Sequence, residues 1–471
     1  MSSQAHLGDV LVLGLGRTGE SAARYLAALG PGRVSSVTLY GGVSAQAGER
    51  TEALEGAGVR VVCGTEEVSG SFDLAVASPG IPMDSAFFRA ARDCSREVVS
   101  EPELAWRESP ERWIAVTGTN GKTTTTSLAT HLLREGGLAA RSVGNIGTPP
   151  TEAVPDRTEG DWLVAELSSF QLAETSLFHP RAAVLLNVTP DHLEWHHTME
   201  AYAAAKERAF ANLGAGDLAV VSVDDDWCRA VAGRCEARGV RTCRLSVCSE
   251  PDAPCAAFLR EGTLVVRLDG VEHELLPADE LKIFGLHNAE NALAAAAVAL
   301  EAGVTRDDVR AGLRSFSPIE HRIEPAGTVA GVRYVNDSKA TNTDSVEKAL
   351  TAFDAGTIVV MLGGHDKMTD LASLAGAVCE RCRVAVCFGE AGERIAGALE
   401  AARAERGSGL EVLRAPHLRE AFSAARAAAR PGDTVLLSPA CSSFDEFSNM
   451  AERGRLFKRL VSELADEGAL S

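Results

Sequence analysis

Short apolar runs closed by turn residues recur along the chain and alternate with longer segments of helical spacing. The first group predicts strands over 10–13, 34–39, 59–63 and 74–77, with a helix over 20–29 after the first strand. A polar stretch around Pro110, residues 107–112, reads as a linker. The second group opens with a strand at 113–116 and continues with strands at 162–165 and 183–186 and an alanine-rich helix over 289–301. A third group has strands at 332–335, 357–362, 384–388 and 434–437. Runs this short suit strands buried on both faces, and their alternation with helices predicts a parallel sheet in each block. The expected fold class is therefore α/β with three domains, 1–108, 109–320 and 321–471. Ligand sites in such sheets open beyond the C-terminal ends of the strands.

Length agrees with this division, since 471 residues exceed what one core usually holds. Charge restricts the partners. With 46 basic against 65 acidic residues the formal net charge is −19, which argues against a general nucleic-acid or membrane-surface binder. An anionic ligand must then be met by local donors and cations. The longest purely apolar run, 292–300, is far too short to span a bilayer, and no basic, apolar targeting segment opens the chain. The eleven cysteines lack disulfide-framework spacing, so reduced thiols and a cytoplasmic location are expected. Cys379, Cys382 and Cys387 are read as buried thiols, because no second ligand pair completes a four-ligand metal site.

Two glycine turns carry candidate chemistry. After the strand at 113–116 comes Thr117-Gly118-Thr119-Asn120-Gly121-Lys122-Thr123-Thr124, leading into a helix. The glycines let backbone N–H groups close on phosphate oxygens, and the helix N-terminus adds donors and its dipole. Lys122 supplies a cation to the β- and γ-phosphates, and Thr123 can ligate Mg²⁺. Two residues rather than the generic four separate these glycines. The N-terminal Gly14-x-Gly16-x-x-Gly19 is weaker evidence. A dinucleotide fold wants an acid at the end of the next strand, where this chain has Tyr40-Gly41-Gly42. Glu166, ending a strand in the sheet of the phosphate loop, is a candidate Mg²⁺ ligand. His192 and Lys206, considered alone, are equally compatible with an ordinary loop histidine and a surface lysine.

Taken together, GTNGKTT (118–124), GNIG (144–147), ELSSFQL (166–172), NVTPDHLEWH (187–196), YAAAK (202–206), GLHNAENALAA (285–295), HRIE (321–324), NDSKATN (336–342), LGGHDK (362–367) and LSPACSSFDEF (437–447) resemble the Mur ligases along nearly the whole chain. The third-block motifs are most similar to the glutamate-adding branch. The resemblance implies a Rossmann-like uridine-nucleotide-binding domain, a central P-loop ATPase-like domain and a Rossmann-like C-terminal domain. It implies ATP, two Mg²⁺ ions, and UDP-N-acetylmuramoyl-L-alanine and D-glutamate as substrates; a monomer is the default expectation, and the charge and the short apolar runs predict neither a nucleic-acid partner nor membrane insertion.

Residue roles follow from the resemblance alone. Gly118, Thr119, Asn120, Gly121, Lys122, Thr123 and Thr124 would hold ATP, with Asn288, Asn291, Arg322 and Asp337 also at the nucleotide. Thr123, Glu166, His192 and Lys206 would serve the metals, Lys206 as its carbamate, and Lys122, His192 and Lys206 would be catalytic. Arg17, Thr18, Ser78, Gly80, Asn145 and Ser168 would bind the uridine-nucleotide substrate. Lys339, Thr341, Lys367, Ser443 and Phe444 would grip glutamate. Tyr40, His365, Asp366 and Met450 depart from the family pattern and bear on the uridine and glutamate contacts.

Overall fold

A computed structural model of the chain describes residues 6–317 and 320–469. Three sheets are present among them. The first contains β1 (Gly8–Leu13), β2 (Val34–Tyr40), β3 (Val59–Val62), β4 (Leu74–Ala77) and β5 (Val98–Ser100), in the order β3-β2-β1-β4-β5, all parallel. Leu13 pairs with both Tyr40 and Ala77, so the turns after β1, β2 and β4 lie side by side. The helix after β1 runs Arg17–Ala28, beginning three residues before the predicted start. Two glycines explain its tight entry. Gly14 has φ +91°, and a Cβ on Gly19 would lie 2.0 Å from the Gly14 carbonyl oxygen.

The central sheet holds β6 (Trp113–Thr117), β7 (Ala140–Gly144), β8 (Trp162–Glu166), β9 (Ala182–Leu185), β10 (Leu218–Ser222), β11 (Arg241–Ser246), β12 (Ala256–Arg260), β13 (Thr263–Leu268) and β14 (Val271–Pro277). Its order is β14-β13-β12-β11-β10-β9-β6-β8-β7. The expectation of a parallel sheet fails at one edge, where β12, β13 and β14 form an antiparallel meander. The cause lies in two turns, Glu261-Gly262 and Asp269-Gly270, in which both residues have positive φ. Such pairs match the twist of a hairpin and reverse the chain in two residues. Elsewhere the sheet is parallel, and Val116 pairs with Glu166 while Thr117 pairs with Leu185, aligning the strand ends that carry the phosphate loop.

The third sheet comprises β15 (Glu324–Val329), β16 (Val332–Asn336), β17 (Ile358–Gly363), β18 (Cys382–Phe388), β19 (Glu411–Ala415) and β20 (Thr434–Ala440), ordered β15-β16-β20-β17-β18-β19. Here too a two-residue turn, Ala330-Gly331 with both φ positive, makes the edge strand β15 antiparallel. Along β17, Ile358, Val360 and Leu362 enter one core while Val359 and Met361 enter the other. Burial on both faces accounts for the unbroken apolar run. Each such side chain contributes roughly 1.5–3 kcal/mol through burial. Cys379, Cys382 and Cys387 are buried, and loss of solvent pushes the Cys387 thiol up to about 12.

The chain forms two compact units: residues 1–278 with 290–314, and 279–289 with 315–471. The first therefore contains both the N-terminal and the central sheet. The helix Glu101–Glu108 extends into the first two residues of the expected linker at 107–112. Glu108 is buried and accepts from Arg33 at 2.8 Å and Tyr25 at 3.0 Å. The long alanine-rich helix spans Leu286–Glu301, so its first turn belongs to the second unit and its body to the first.

Candidate functional site

In the first unit, β6 delivers Thr117 to the loop 118–121, and the helix Lys122–Glu135 starts immediately after it. Gly121 is left-handed, φ +84°, and a Cβ there would meet Asn291 Oδ1 at 2.3 Å and Leu186 Cδ1 at 2.9 Å. Glycine is required both by the turn and by this close approach. The segment 187–189 braces the loop from one side. Asn187 accepts from the Asn120 N–H through Oδ1 at 2.8 Å and from the Thr119 N–H through its carbonyl at 2.9 Å. Thr119 Oγ1 lies 3.1 Å from the Tyr202 hydroxyl and donates to the Thr189 carbonyl at 3.1 Å. Asn187 and Tyr202 were not among the predicted site residues, although both lie inside motifs that were.

Two lysines converge on one oxygen. Lys122 Nζ donates to the Gly118 carbonyl at 2.9 Å and to that of Thr119 at 2.8 Å. Lys206 Nζ reaches the same Gly118 carbonyl at 2.8 Å and lies 4.4 Å over the Tyr202 ring. Lys206 is 1% exposed. Burial, reinforced by the neighbouring Lys122 charge, drives its pKa well below that of an ordinary lysine and favours the neutral amine. This is no surface lysine.

Glu166, at the end of β8, accepts from Asn145 Nδ2 at 2.8 Å through Oε1, while its buried Oε2 has no hydrogen-bond partner among the described residues. Thr124 Oγ1 is likewise buried and without a partner among them. A buried carboxylate oxygen left open beside a phosphate loop is costly unless a cation or donor meets it. Among the described residues, no three of His, Cys, Asp or Glu gather as a metal cluster. That donor set fits Mg²⁺, which keeps waters and phosphate oxygens and takes only one or two protein ligands. It does not fit a protein-caged ion. His192 has φ +53° and is exposed, with its ring 4.8 Å from Phe170 and 3.6 Å from Asp191 and Glu194 carboxylate oxygens. Ser168 caps the helix Ser169–Ala173, and Asn145 is engaged by Glu166.

The N-terminal sheet ends in a cavity of about 610 Å³ lined by Leu15, Gly16, Gly41, Ser44, Gln46 and Arg50. Ser78, at the adjacent strand end, keeps a buried hydroxyl with no partner among the described residues, and Gly80 lies in the turn after it. Arg17 points elsewhere, toward Glu152 at 3.5 Å, and Thr18 follows it in the first helical turn. Tyr40 is buried, and its hydroxyl faces Ser69 rather than lining this cavity.

In the second unit, three loops at the ends of β16, β17 and β20 carry Asp337, Lys339 and Thr341, then Lys367, then Ser443 and Phe444. Asp337 is buried, accepts from Ser438 Oγ at 2.7 Å and from the Ile323 N–H at 3.2 Å, and is pushed up to about 6 by burial. Arg322 has a buried Nε without a partner among the described residues, and Asn288 Nδ2 donates to the Phe284 carbonyl. Lys367 Nζ donates to the Thr341 carbonyl at 3.0 Å, bringing two of the loops together. Ser443 Oγ is buried without a partner among the described residues, whereas Phe444 is exposed. Beneath the loops lies a residue that sequence reasoning passed over. Arg453, fully buried, donates to the carbonyls of Ser338, Cys441 and Ser442 at 2.9–3.1 Å and to Ser338 Oγ at 3.0 Å. Met450 joins the same assembly through its carbonyl, which accepts from Ser338 Oγ at 2.7 Å.

Comparison with known proteins adds independent findings. Residues 116–299 match the Mur ligase middle domain, and residues 321–441 match the Mur ligase glutamate ligase domain. The UDP-N-acetylmuramoylalanine–D-glutamate ligase of Koribacter versatilis is 39% identical over 97% of this chain and 98% of its own. The enzyme of that name from Pelotomaculum thermopropionicum is 41% identical, with 97% of each chain covered. Among solved structures, the UDP-N-acetylmuramate–alanine ligase of Thermotoga maritima aligns with a TM-score of 0.57 at 20% identity, covering 97% of this chain and all of that one. A pseudomurein peptide ligase of Methanothermus fervidus gives the same TM-score at 16% identity, with the same coverage. At such identities these two speak for the fold alone.

Proposed function

The chain belongs to the Mur ligase family, and from that membership we propose that it joins D-glutamate to UDP-N-acetylmuramoyl-L-alanine with hydrolysis of ATP to ADP and phosphate, a step of peptidoglycan precursor synthesis. The observation that carries this reading is the convergence of Lys122 and Lys206 on the Gly118 carbonyl beside the open Glu166 oxygen. A carboxylate and a triphosphate repel one another, so bringing them together requires positive charge in a site with little water; Lys122 would supply one cation, while a buried, neutral Lys206 is suited to become a carbamate that holds Mg²⁺.

The substrate carboxylate attacks the γ-phosphorus, the bond to the β-bridging oxygen breaks, and ADP leaves. The amine of glutamate then attacks the acyl carbon, phosphate departs with the bonding electrons, and the nitrogen gives up a proton. His192 would receive it only where it is not holding a metal, since the two roles compete for its imidazole. Lys122 and the loop N–H groups would hold the β- and γ-phosphates. Glu166, Thr123, His192 and carbamoylated Lys206 would hold two Mg²⁺ ions, which offset phosphoryl charge when bound. Burial supports the carbamate reading, since a neutral amine is the nucleophile that captures CO₂. Ser78 and the cavity beside Gly16 suit the uridine nucleotide; Lys339, Thr341, Lys367 and Ser443 suit glutamate. We assign the protein to the cytoplasm as a monomer. Among the described residues, no helix is long and apolar enough to cross a membrane.

The test is phosphate release from ATP with UDP-N-acetylmuramoyl-L-alanine and D-glutamate, L-glutamate or no amino acid. Release that depends on D-glutamate is expected. Release indifferent to the amino acid, or none at all, would overturn the reading.

A further inference from the structure

The loop after β17 is held in an unusual way. Gly363 and Gly364 both have positive φ, and a Cβ on Gly364 would lie 2.2 Å from the Ser442 carbonyl oxygen. The His365 N–H donates to that same carbonyl at 2.9 Å, and its ring pairs with Glu390 at 2.7 Å. Beyond this point the chain leaves the sheet, and Lys367, Met368 and Thr369 are exposed. An exposed loop bearing a long cationic side chain ordinarily samples many conformations. Here one arginine closes it. Arg394 grips Asp366 with two parallel hydrogen bonds, Nε to Oδ2 at 2.7 Å and Nη2 to Oδ1 at 2.6 Å, and donates through Nη1 to the Thr369 carbonyl at 2.9 Å. Asp366 Oδ1 also accepts from the Met368 N–H at 2.8 Å, enclosing Lys367 in a tight turn, with Met368 at φ +55°. Both ends of the turn are thus tied to one guanidinium.

The position of Arg394 strengthens the point. It lies in the first turn of the helix Gly392–Arg406, the end where the helix dipole disfavours a cation. The Asp366 carboxylate is what holds it there, and the pair is only 12% and 32% exposed at its side chains. Arg394 in turn keeps the Asp366 carboxyl below its ordinary range. With Oδ1 accepting two hydrogen bonds and Oδ2 one, all from within the turn and its arginine, the carboxylate is engaged in holding the turn.

We propose that Asp366 and Arg394 are positioning residues for the acceptor amino acid, acting by fixing the turn that aims Lys367 beside Thr341. This rests on the ligase reading above and deepens it. Such a role appears in the KM for the amino acid and only through Lys367, which a general structural role would not produce.

The test is a double-mutant cycle on the full-length protein, with D-glutamate, ATP and UDP-N-acetylmuramoyl-L-alanine varied in turn. Asp366→Asn and Arg394→Gln should each raise the KM for D-glutamate about tenfold, with the other two KM values within about twofold. Arg394→Lys should recover part of the loss but not all, because an ammonium cannot bond both carboxylate oxygens in the same fork. In a Lys367→Ala background, Asp366→Asn should change the D-glutamate KM by less than about twofold. Effects that multiply in that background, or a D-glutamate KM unmoved by either single variant, overturn the proposal. Should Asp366→Asn fail to fold, Arg394→Gln carries the same cycle. A wild-type enzyme without D-glutamate-dependent phosphate release would instead overturn the ligase reading itself.

Discussion

The polar groups buried around the phosphate loop and the arginine buried beneath the acceptor loops are treated in opposite ways. Around the phosphate loop they are left open: Glu166 Oε2 and Thr124 Oγ1 meet no partner among the described residues, and Lys206 shares one carbonyl with a second lysine. Beneath the acceptor loops the buried Arg453 is surrounded by acceptors, three carbonyls within 3.1 Å and a hydroxyl at 3.0 Å. Open groups beside the loop leave room for a ligand, whereas a saturated group serves as scaffold. Substitution should therefore separate the two regions, removing activity with the fold intact in the first and loosening the fold in the second.

Lys122→Ala carries the largest expected effect. It removes the cation proposed to face the transferred phosphoryl group, and phosphate release should fall to background, while stability changes by about 0.5–1 kcal/mol at most. Retained turnover would break both the nucleotide assignment and the contrast. Lys206→Ala comes next, with a loss of about 100-fold or more. A short acid such as acetate should restore part of it by supplying the carboxylate that the carbamate would otherwise provide. Full activity without acetate would remove the carbamate role.

These positions also mark what could be read in the sequence. The strand–loop–helix at 113–135 was legible because its glycines, lysine and threonines are contiguous, and backbone geometry follows from their order. Most parallel strands were legible for a similar reason, since burial on both faces writes an uninterrupted apolar run. The edge hairpins were not predicted. Their signals are pairs such as Asp269-Gly270, each only two residues long, within a pattern dominated by crossovers. Arg453 was illegible for a different reason. It lies on the helix Met450–Ala469 among other charged residues, and only the folded loops reveal that its guanidinium points inward.

Arg453→Met tests the scaffold side of the contrast. The thioether fills part of the volume but removes the guanidinium that the carbonyls of Ser338, Cys441 and Ser442 share, leaving Ser442 only the His365 N–H, a loss of about 3 kcal/mol or more. The melting temperature should fall, and the KM for D-glutamate should rise more than that for ATP. A variant as stable as wild type, with unaltered kinetics, would mean that the arginine is not what holds the three loops.

Glu101 provides the sharpest control, because by one criterion it resembles Glu166. Its Oε2 is buried and open among the described residues, yet Oε1 accepts from both the N–H and the hydroxyl of Thr151 at 2.6 Å. Burial, partly offset by those two hydrogen bonds, pushes its carboxyl up to about 7 from an ordinary value of 4.5. The folded protein thus holds a proton that the unfolded chain releases near pH 4.5. The associated stability is fully present below pH 4.5, declines as pH rises toward 7 and is lost above it, a swing of order 3 kcal/mol. Glu101→Gln keeps an acceptor for Thr151 and removes the charge, so it should raise the melting temperature at pH 8 and leave it nearly unchanged at pH 4.5. Ligase activity should stay within about twofold, as for any substitution that touches no ligand. A large loss of activity with no pH-dependent gain in stability would show that an open buried oxygen marks a ligand site even here, and the distinction between open and scaffold groups would have to be redrawn.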